Sequence, residues 1–267
     1  ELPIEPSFEQ DSIERQVDHT FHYYKPQLAF KPLSSYLVGW DFGLNPAQFL
    51  GHTIGAGGAA NGSFYVWDQT IIFQTAASGV SVAQNAAGSI VLTAASTTQL
   101  AMFQYLEGQQ VRGLLHTPLC SHIAAKCTAA TTVKVTVSLW YTANSTLPNL
   151  NIGNSVVTGL DADGYPTVAS GWFEVPRKFG AAEIIIEPNS TTEFNNYPLT
   201  GWDMDGISAV NTANFFAFVI GTESISAGNN VEFNSVTLQD GFIPTIPAPQ
   251  SADEVIRQCQ FYYEIKS

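Results

Sequence analysis

After residue 60, hydrophobic and polar residues alternate in short runs that are separated by clusters of glycine, asparagine, alanine and serine. Alternation with a period of two is typical of β-strands that bury one face. Nine runs are predicted as strands: Ser63–Phe73, Gly88–Thr93, Gln99–Leu106, Gln109–Leu115, Thr131–Tyr141, Trp172–Val175, Ala182–Glu187, Asn214–Ile220 and Val231–Leu238. Because helical periodicity is almost absent before residue 251, we expect an all-β fold, a jelly-roll β-sandwich.

Two of these runs carry more specific information. Asn214–Ile220 is apolar at successive positions, which predicts a central strand that is buried on both faces. In Val231–Leu238 the apolar positions change parity across Ser235, and a β-bulge would explain that change.

The end of the chain follows a different pattern. Pro244, Pro247 and Pro249 remove backbone donors and predict an extended segment. Ser251 and Glu254 form a Ser-x-x-Glu capping box, so we expect a short helix over residues 251–263. Val255, Cys259 and Tyr262 fall on one face of that helix, which predicts that it clamps onto the β-body.

Residues 1–60 are predicted to form an N-terminal arm and linker, and residues 61–267 the sandwich with its closing helix. Prolines interrupt the arm, and its aromatic side chains favour packing on a partner over a disordered tail. The candidate interface residues of the arm are Phe21, Tyr23, Tyr24 and Phe30. The chain starts at Glu1 and not at methionine, so we expect either processing or an ordered part that begins inside a longer protein.

Composition narrows the classes of function. A net charge of −13, with only 10 basic residues, argues against binding nucleic acid. No apolar run approaches the roughly 20 residues of a membrane-spanning helix, so membrane insertion is not expected. The 3 cysteines argue against a disulfide scaffold and favour synthesis in a reducing cytoplasm, although Cys120 and Cys127 are close enough in sequence to pair across a loop.

The strand Thr131–Tyr141 contains one candidate ligand site. By parity, Trp140 shares a face with Lys134 and Thr136, and that face is otherwise polar. A tryptophan there can stack on a sugar ring, pack against another subunit, or be covered by another part of the same chain.

Two acidic turns are candidate calcium sites, one at Asp161 and Asp163 and the other at Asp203 and Asp205. Alternating carboxylates before a glycine can supply oxygen ligands, but neither turn has the glutamate that a full EF-hand loop needs. Ordinary turns explain the same residues, and no cofactor is expected beyond such a structural ion.

Catalytic motifs are absent from the sequence. There is no G-x-S-x-G elbow, P-loop, H-E-x-x-H or paired CxxC. Glycoside hydrolysis needs two facing carboxylates, and nothing in the sequence selects such a pair. We therefore predict no catalytic residues and no enzyme.

Four segments, in this order, resemble a family of phage virion proteins: tail-fibre, spike or head-fibre components whose last domain is a jelly roll like a carbohydrate-binding module. The segments are Asn61–Gln69 (NGSFYVWDQ), Val133–Tyr141, Gly171–Pro176 (GWFEVP) and the stretch from Val231 to the DEVIRQCQFYYE sequence near the end. Together they cover roughly residues 61–267.

The resemblance implies a structural protein of the virion, made in the host cytoplasm. It implies other virion proteins as partners, a homotrimer, and a surface that binds a host cell-surface glycan. Two alternatives stay open from the sequence: a capsid or collar building block without a ligand, and a virion-associated glycan depolymerase.

Overall fold

A computed structural model describes residues 35–37, 39–40, 42, 59–67, 70–85, 88–107, 118–128, 132–143, 156–180, 183–188, 195–202 and 215–241. All of them belong to a unit that runs from Ser35 to Ser267. This part of the chain forms fifteen strands: β1 (Gly62–Trp67), β2 (Thr70–Gln74), β3 (Val80–Gln84), β4 (Ile90–Ala94), β5 (Leu100–Glu107), β6 (Leu119–Cys127), β7 (Val133–Thr142), β8 (Val157–Leu160), β9 (Pro166–Val168), β10 (Trp172–Glu174), β11 (Arg177–Phe179), β12 (Glu183–Ile186), β13 (Asn195–Trp202), β14 (Phe215–Thr222) and β15 (Asn230–Asp240).

The strands form two antiparallel sheets packed face to face. The first sheet has the order β1-β2-β5-β14-β7-β10, with β12 also paired to β7. The second has the order β11-β13-β6-β15-β4-β3, and β8 and β9 form a separate hairpin. Neighbouring strands are mostly distant in sequence, as in a jelly roll. The predicted all-β jelly-roll sandwich is therefore confirmed, whereas the proposed arm residues and the helix at 251–263 lie outside the described residues.

Strand β14 lies at the centre of the first sheet, between β5 and β7. Phe216, Phe218 and Ile220 point into the core between the sheets. Ala217 and Val219 point the other way and are also buried. The prediction of a central strand covered on both faces is confirmed.

Strand β15 carries the predicted bulge. Its pairing with β6 shifts register between Phe233 and Ser235. The shift lets Val231, Phe233, Val236 and Leu238 all reach the inter-sheet core despite their mixed parity. An inserted residue thus keeps one buried face on both halves of the strand.

Other strand predictions need correction. The predicted strand Ser63–Phe73 is a hairpin of β1 and β2, because the chain reverses after Trp67. The sequence also did not predict β6. Its LCSHIAAKC sequence lacks alternation because residues on both faces are buried.

The positions of Cys120 and Cys127 on β6 exclude a disulfide between them. Cys120 and Cys127 lie seven positions apart on this one extended strand, so their Cα atoms are about 23 Å apart and their side chains point to opposite faces. A disulfide needs Cα atoms within about 7 Å. Neither thiol forms a disulfide, and both are buried.

Residues 35–42, which the sequence analysis placed in the arm and linker, pair with the second half of β15. The Tyr36 amide donates to the Leu238 carbonyl at 2.8 Å, and the Val236 amide donates to the Trp40 carbonyl at 2.8 Å. Leu37, Trp40 and Phe42 enter the core. We call this segment the strap.

Candidate functional site

Trp140 is covered by another part of the same chain, which is one of the three alternatives that the sequence left open. Only 8% of its surface is exposed. Its indole Nε1 donates to Ser138 Oγ at 2.8 Å, and its ring lies 6.2 Å from that of Tyr165. Since another part of the chain occupies the space above the ring, Trp140 offers no open face for stacking a sugar.

The cover is the segment 156–170, which contains the β8–β9 hairpin and which we call the cover hairpin. It lies on the outer face of the first sheet and completes a second apolar cluster there. The buried members are Ile71, Phe73, Ala101, Phe103, Tyr105, Trp140, Val156, Val157, Trp172, Ala217 and Val219. Trp172 belongs to this outer cluster and not to the core between the sheets.

Three residues predicted as site residues do meet, at the turn of the cover hairpin. Thr136 Oγ1 donates to the Gly164 carbonyl at 2.7 Å, and Lys134 Nζ lies 2.6 Å from Asp163 Oδ1. The hydrogen bond to Asp163 raises the pKa of Lys134. The ammonium also lies 3.6 Å from Glu183. Lys134, Thr136 and Asp163 thus form the joint that fastens the turn to the sheet.

At the same turn, the carboxylates of Asp161 and Asp163 have partners within the protein. Asp161 Oδ1 accepts hydrogen bonds from the amides of Asp163 and Tyr165, at 3.0 and 2.8 Å, and so caps its own turn. Asp163 is engaged by Lys134. No group of three or more metal-binding side chains occurs among the described residues, and Asp203 and Asp205 lie outside them.

Tyr105 ties the first residue of the cover hairpin to the sheet. Its hydroxyl accepts a hydrogen bond from the Val156 amide at 3.0 Å. Burial raises the pKa of Tyr105 to about 12, although that hydrogen bond acts in the opposite direction.

We therefore expect the free energy of unfolding to fall as the pH rises from about 10 to about 12. The sign follows because the folded state holds the phenol neutral at pH values where the unfolded chain loses the proton. In Tyr105→Phe this part of the decline should be absent, at a cost of about 1 kcal/mol at neutral pH for the lost hydrogen bond. Urea denaturation of both proteins from pH 8 to pH 12 tests this, and parallel pH profiles would contradict it.

Three large hydrophobic side chains are exposed among the described residues: Tyr65, Phe173 and Ile185. Phe173, on the edge strand β10, is 57% exposed. It pairs across the sheet with Tyr141, and the two ring centroids lie 5.7 Å apart at an interplanar angle of 36°. Tyr141 in turn lies 6.3 Å from the buried ring of Phe216. An aromatic row therefore runs from the core to a solvent-exposed ring.

Polar groups lie on the other face of the same edge. Glu174 follows Phe173 and lies 3.7 Å from Arg177, with both side chains partly exposed. Burial, together with a hydrogen bond to Glu174, raises the pKa of Tyr165. We call Phe173, Tyr141, Glu174 and Arg177 the aromatic edge. The sequence analysis missed it, although Phe173 alternates with the buried Trp172 and so had to face the other way.

The remaining predicted site residues, Phe21, Tyr23, Tyr24 and Phe30, lie outside the described residues. No helix long and apolar enough to cross a membrane is found in the part of the chain that the structure describes.

Comparisons with known proteins give likenesses in structure alone. No protein-family profile matches the chain, and no curated protein matches it in sequence. A family 61 carbohydrate-binding module in complex with β-1,4-galactotriose has a TM-score of 0.36 and 9% identity, over 64% of this chain and 88% of that one. The enzymatically active domain of tailspike protein 4 from bacteriophage CBA120 has a TM-score of 0.33 and 14% identity, over 64% of this chain and 19% of that one.

A third likeness is to the family 22 and catalytic modules of xylanase 10B from Clostridium thermocellum, with a TM-score of 0.35 and 12% identity, over 68% of this chain and 28% of that one. At these values the fold assignment rests on the strand order and the two-layer core, and not on the likenesses.

Proposed function

We propose that this chain is a structural protein of a phage virion, the head of a tail fibre, spike or head fibre, and that it binds a host cell-surface glycan at the aromatic edge. The observation that supports glycan binding is the exposed ring of Phe173, which packs beside the ring of Tyr141. The virion part rests on the resemblance of four sequence segments to that family. The proposal includes no catalytic step.

The chemistry of the aromatic edge suits a sugar. A pyranose ring presents a face of C–H groups that packs on an aromatic ring, while its hydroxyls need hydrogen-bond partners. Phe173 supplies the ring, and Glu174 and Arg177, one and four positions later in the chain, supply a carboxylate and a guanidinium on the other face of the same edge. The outer face of the first sheet is not available for this purpose, because the cover hairpin occupies it.

We expect Phe173→Ala to weaken glycan binding about tenfold or more. Loss of the ring removes apolar contact and stacking worth roughly 1.5–2 kcal/mol, and about 1.4 kcal/mol corresponds to a factor of ten. The measurement is calorimetric titration of the purified chain with polysaccharide from a susceptible host, followed by competition for phage adsorption.

The matched control is Ile185→Ala, which removes a 53% exposed side chain from another edge strand. It should leave glycan affinity unchanged. Light scattering of all three proteins shows whether they are trimers, as the proposal requires. If Phe173→Ala and the parent had equal affinity for the glycan, the aromatic edge would not be the glycan-binding site. If the parent were a monomer in solution, it would not be the head of a trimeric fibre.

One observation favours the second candidate, a capsid or collar building block without a ligand. Ile185 lies on β12, which pairs with β7, and an exposed apolar residue on an edge strand is suited to contact with another protein. In that case Ile185→Ala, and not Phe173→Ala, would impair assembly, and no host glycan would bind.

A further inference from the structure

A lysine, a glutamate and an asparagine meet at one carboxylate oxygen on the second sheet. Lys126 Nζ lies 3.3 Å from Glu232 Oε2, and Asn85 Nδ2 donates to the same oxygen at 3.2 Å. Lys126 on β6 pairs with Glu232 on β15, whereas Asn85 directly follows the last residue of β3. Since β4 lies between β15 and β3, the contact joins three segments that are distant in sequence.

Ser89 holds the carboxamide of Asn85 in one orientation. The Ser89 amide donates to Asn85 Oδ1 at 3.0 Å, and the Asn85 amide donates to the Ser89 carbonyl at 2.9 Å. Because an N–H group only donates and a carboxylate only accepts, these partners place the side-chain oxygen toward Ser89 and the nitrogen toward Glu232. The carbonyl group of Asn85 is thereby polarised, and its amide nitrogen faces a proton acceptor.

The charged pair beside Asn85 is largely withdrawn from water. Lys126 is 9% exposed and Glu232 is 8% exposed. Since Lys126 Nζ and Asn85 Nδ2 share one acceptor, they lie no farther apart than about two hydrogen-bond lengths. An amine, a polarised carboxamide and a carboxylate held together with little water are the reactants for acyl transfer from the amide to the amine.

We propose that Lys126 and Asn85 form an intramolecular amide cross-link, with Glu232 as the catalytic residue that carries protons. The Lys126 ammonium gives a proton to Glu232, and the neutral Nζ attacks Asn85 Cγ. The bond from Cγ to Nδ2 breaks as Glu232 passes a proton to Nδ2, which leaves as ammonia. An ammonium and a carboxamide become a secondary amide and an ammonium ion, so Glu232 ends as a carboxylate and no oxidant or further reactant is needed.

The cross-link would tie β3 to β6 across the two strands between them. It closes residues 85–126 into a covalent loop, which lowers the conformational entropy of the unfolded chain. The inference does not rest on the glycan proposal. It gives the sandwich a covalent tie that no reducing agent can open.

The mass of the intact, purified chain tests the proposal. We expect the folded parent to be lighter than its sequence requires by one molecule of ammonia. A tryptic digest should contain one branched peptide that joins Asn85 to Lys126, without cleavage after Lys126. Lys126→Arg keeps a positive charge beside Glu232 but lacks the amine nucleophile, so it should have its full mass and a Tm lower by about 10 °C.

Glu232→Gln, which lacks the proton carrier, should also have its full mass. Asn234→Ala is the matched control, since Asn234 accepts a hydrogen bond from the Ser89 hydroxyl at 3.3 Å and takes no part in the reaction; it should still lose ammonia. A folded parent of full mass would overturn the proposal, whether or not any variant folds. A loss of ammonia that persisted in Lys126→Arg would also overturn it, because the ammonia would then come from another site.

Discussion

Gly221→Ala is expected to destabilise this protein by about 3 kcal/mol or more, an unusually large effect for one added methyl group. Gly221 lies on β14 under the turn of the cover hairpin. A Cβ atom there would overlap the carbonyl oxygen of Gly164 and would come within 3.0 Å of Thr136 Oγ1. Neither the turn backbone nor the central strand can move away without breaking the Thr136–Gly164 hydrogen bond.

Gly164, on the hairpin side of the contact, is as closely packed as Gly221 on the sheet side. A Cβ on Gly164 would overlap the backbone of Thr222, and Gly164 also has a positive φ of 85°, which disfavours other residues. The two glycines therefore allow the hairpin and the sheet to approach backbone to backbone. The loss in Gly221→Ala should include release of the hairpin, so that Trp140 and Trp172 become exposed.

The measurement is urea denaturation followed by tryptophan fluorescence. Gly159→Ala is the matched control, since it lies on the same hairpin and its Cβ would make only ordinary contacts of 3.7 and 3.8 Å with Thr167. We expect that control to change the free energy of unfolding by less than about 1 kcal/mol. If Gly221→Ala behaved like Gly159→Ala, the close docking of the hairpin would be wrong.

Trp40→Ala should have a similarly large effect, a loss of about 3–5 kcal/mol, because it removes a fully buried indole. Trp40 is 0% exposed, its Nε1 donates to Thr70 Oγ1 at 2.7 Å, and its ring lies 5.8 Å from that of Phe218. It is also one of the three strap residues that enter the core. The substitution should therefore loosen the strap from β15 as well as leave a cavity.

Trp202 provides the control for the role of the indole nitrogen. It is also 0% exposed and lies edge-on to Phe218 at 5.9 Å, but its Nε1 has no hydrogen-bond partner among the described residues. Trp40→Phe leaves Thr70 without its donor, whereas Trp202→Phe removes a buried unsatisfied group. We expect Trp202→Phe to be the better tolerated by about 1–2 kcal/mol. Equal losses in thermal unfolding would contradict the assignment of the Trp40 bond.

The central features of the fold were predictable from local pattern. Successive apolar residues around Phe216 and Val219 predicted a strand covered on both faces, and the parity change at Ser235 predicted its bulge. Both follow from the alternation of side chains along one strand. The sequence did not predict burial where a side chain is covered by a segment that is distant in the chain.

Trp140 shows why the candidate site was harder to predict. Its parity on β7 was assigned correctly, but its burial depends on a hairpin about 15–30 residues later that has little alternation of its own. Thr136, Lys134 and Asp163 were selected for binding chemistry, and the fold uses them to fasten that hairpin. Trp40 was not assignable because the described residues of the strap form bends and a turn and not a regular strand, so no periodicity identifies its inward-facing side chains.

The strap has a mechanical consequence. Ser35 lies beside Leu238, and Tyr36 Oη donates to Asp240 at 2.9 Å, so the strap begins where β15 ends. Tension between residues 34 and 242 therefore loads the bonds between the strap and β15 one after another, beginning with the Tyr36 contacts. Bonds that break singly yield at lower force than bonds that are sheared together. Under load the strap would peel away first, down to the anchor at Trp40, while the two sheets stayed intact.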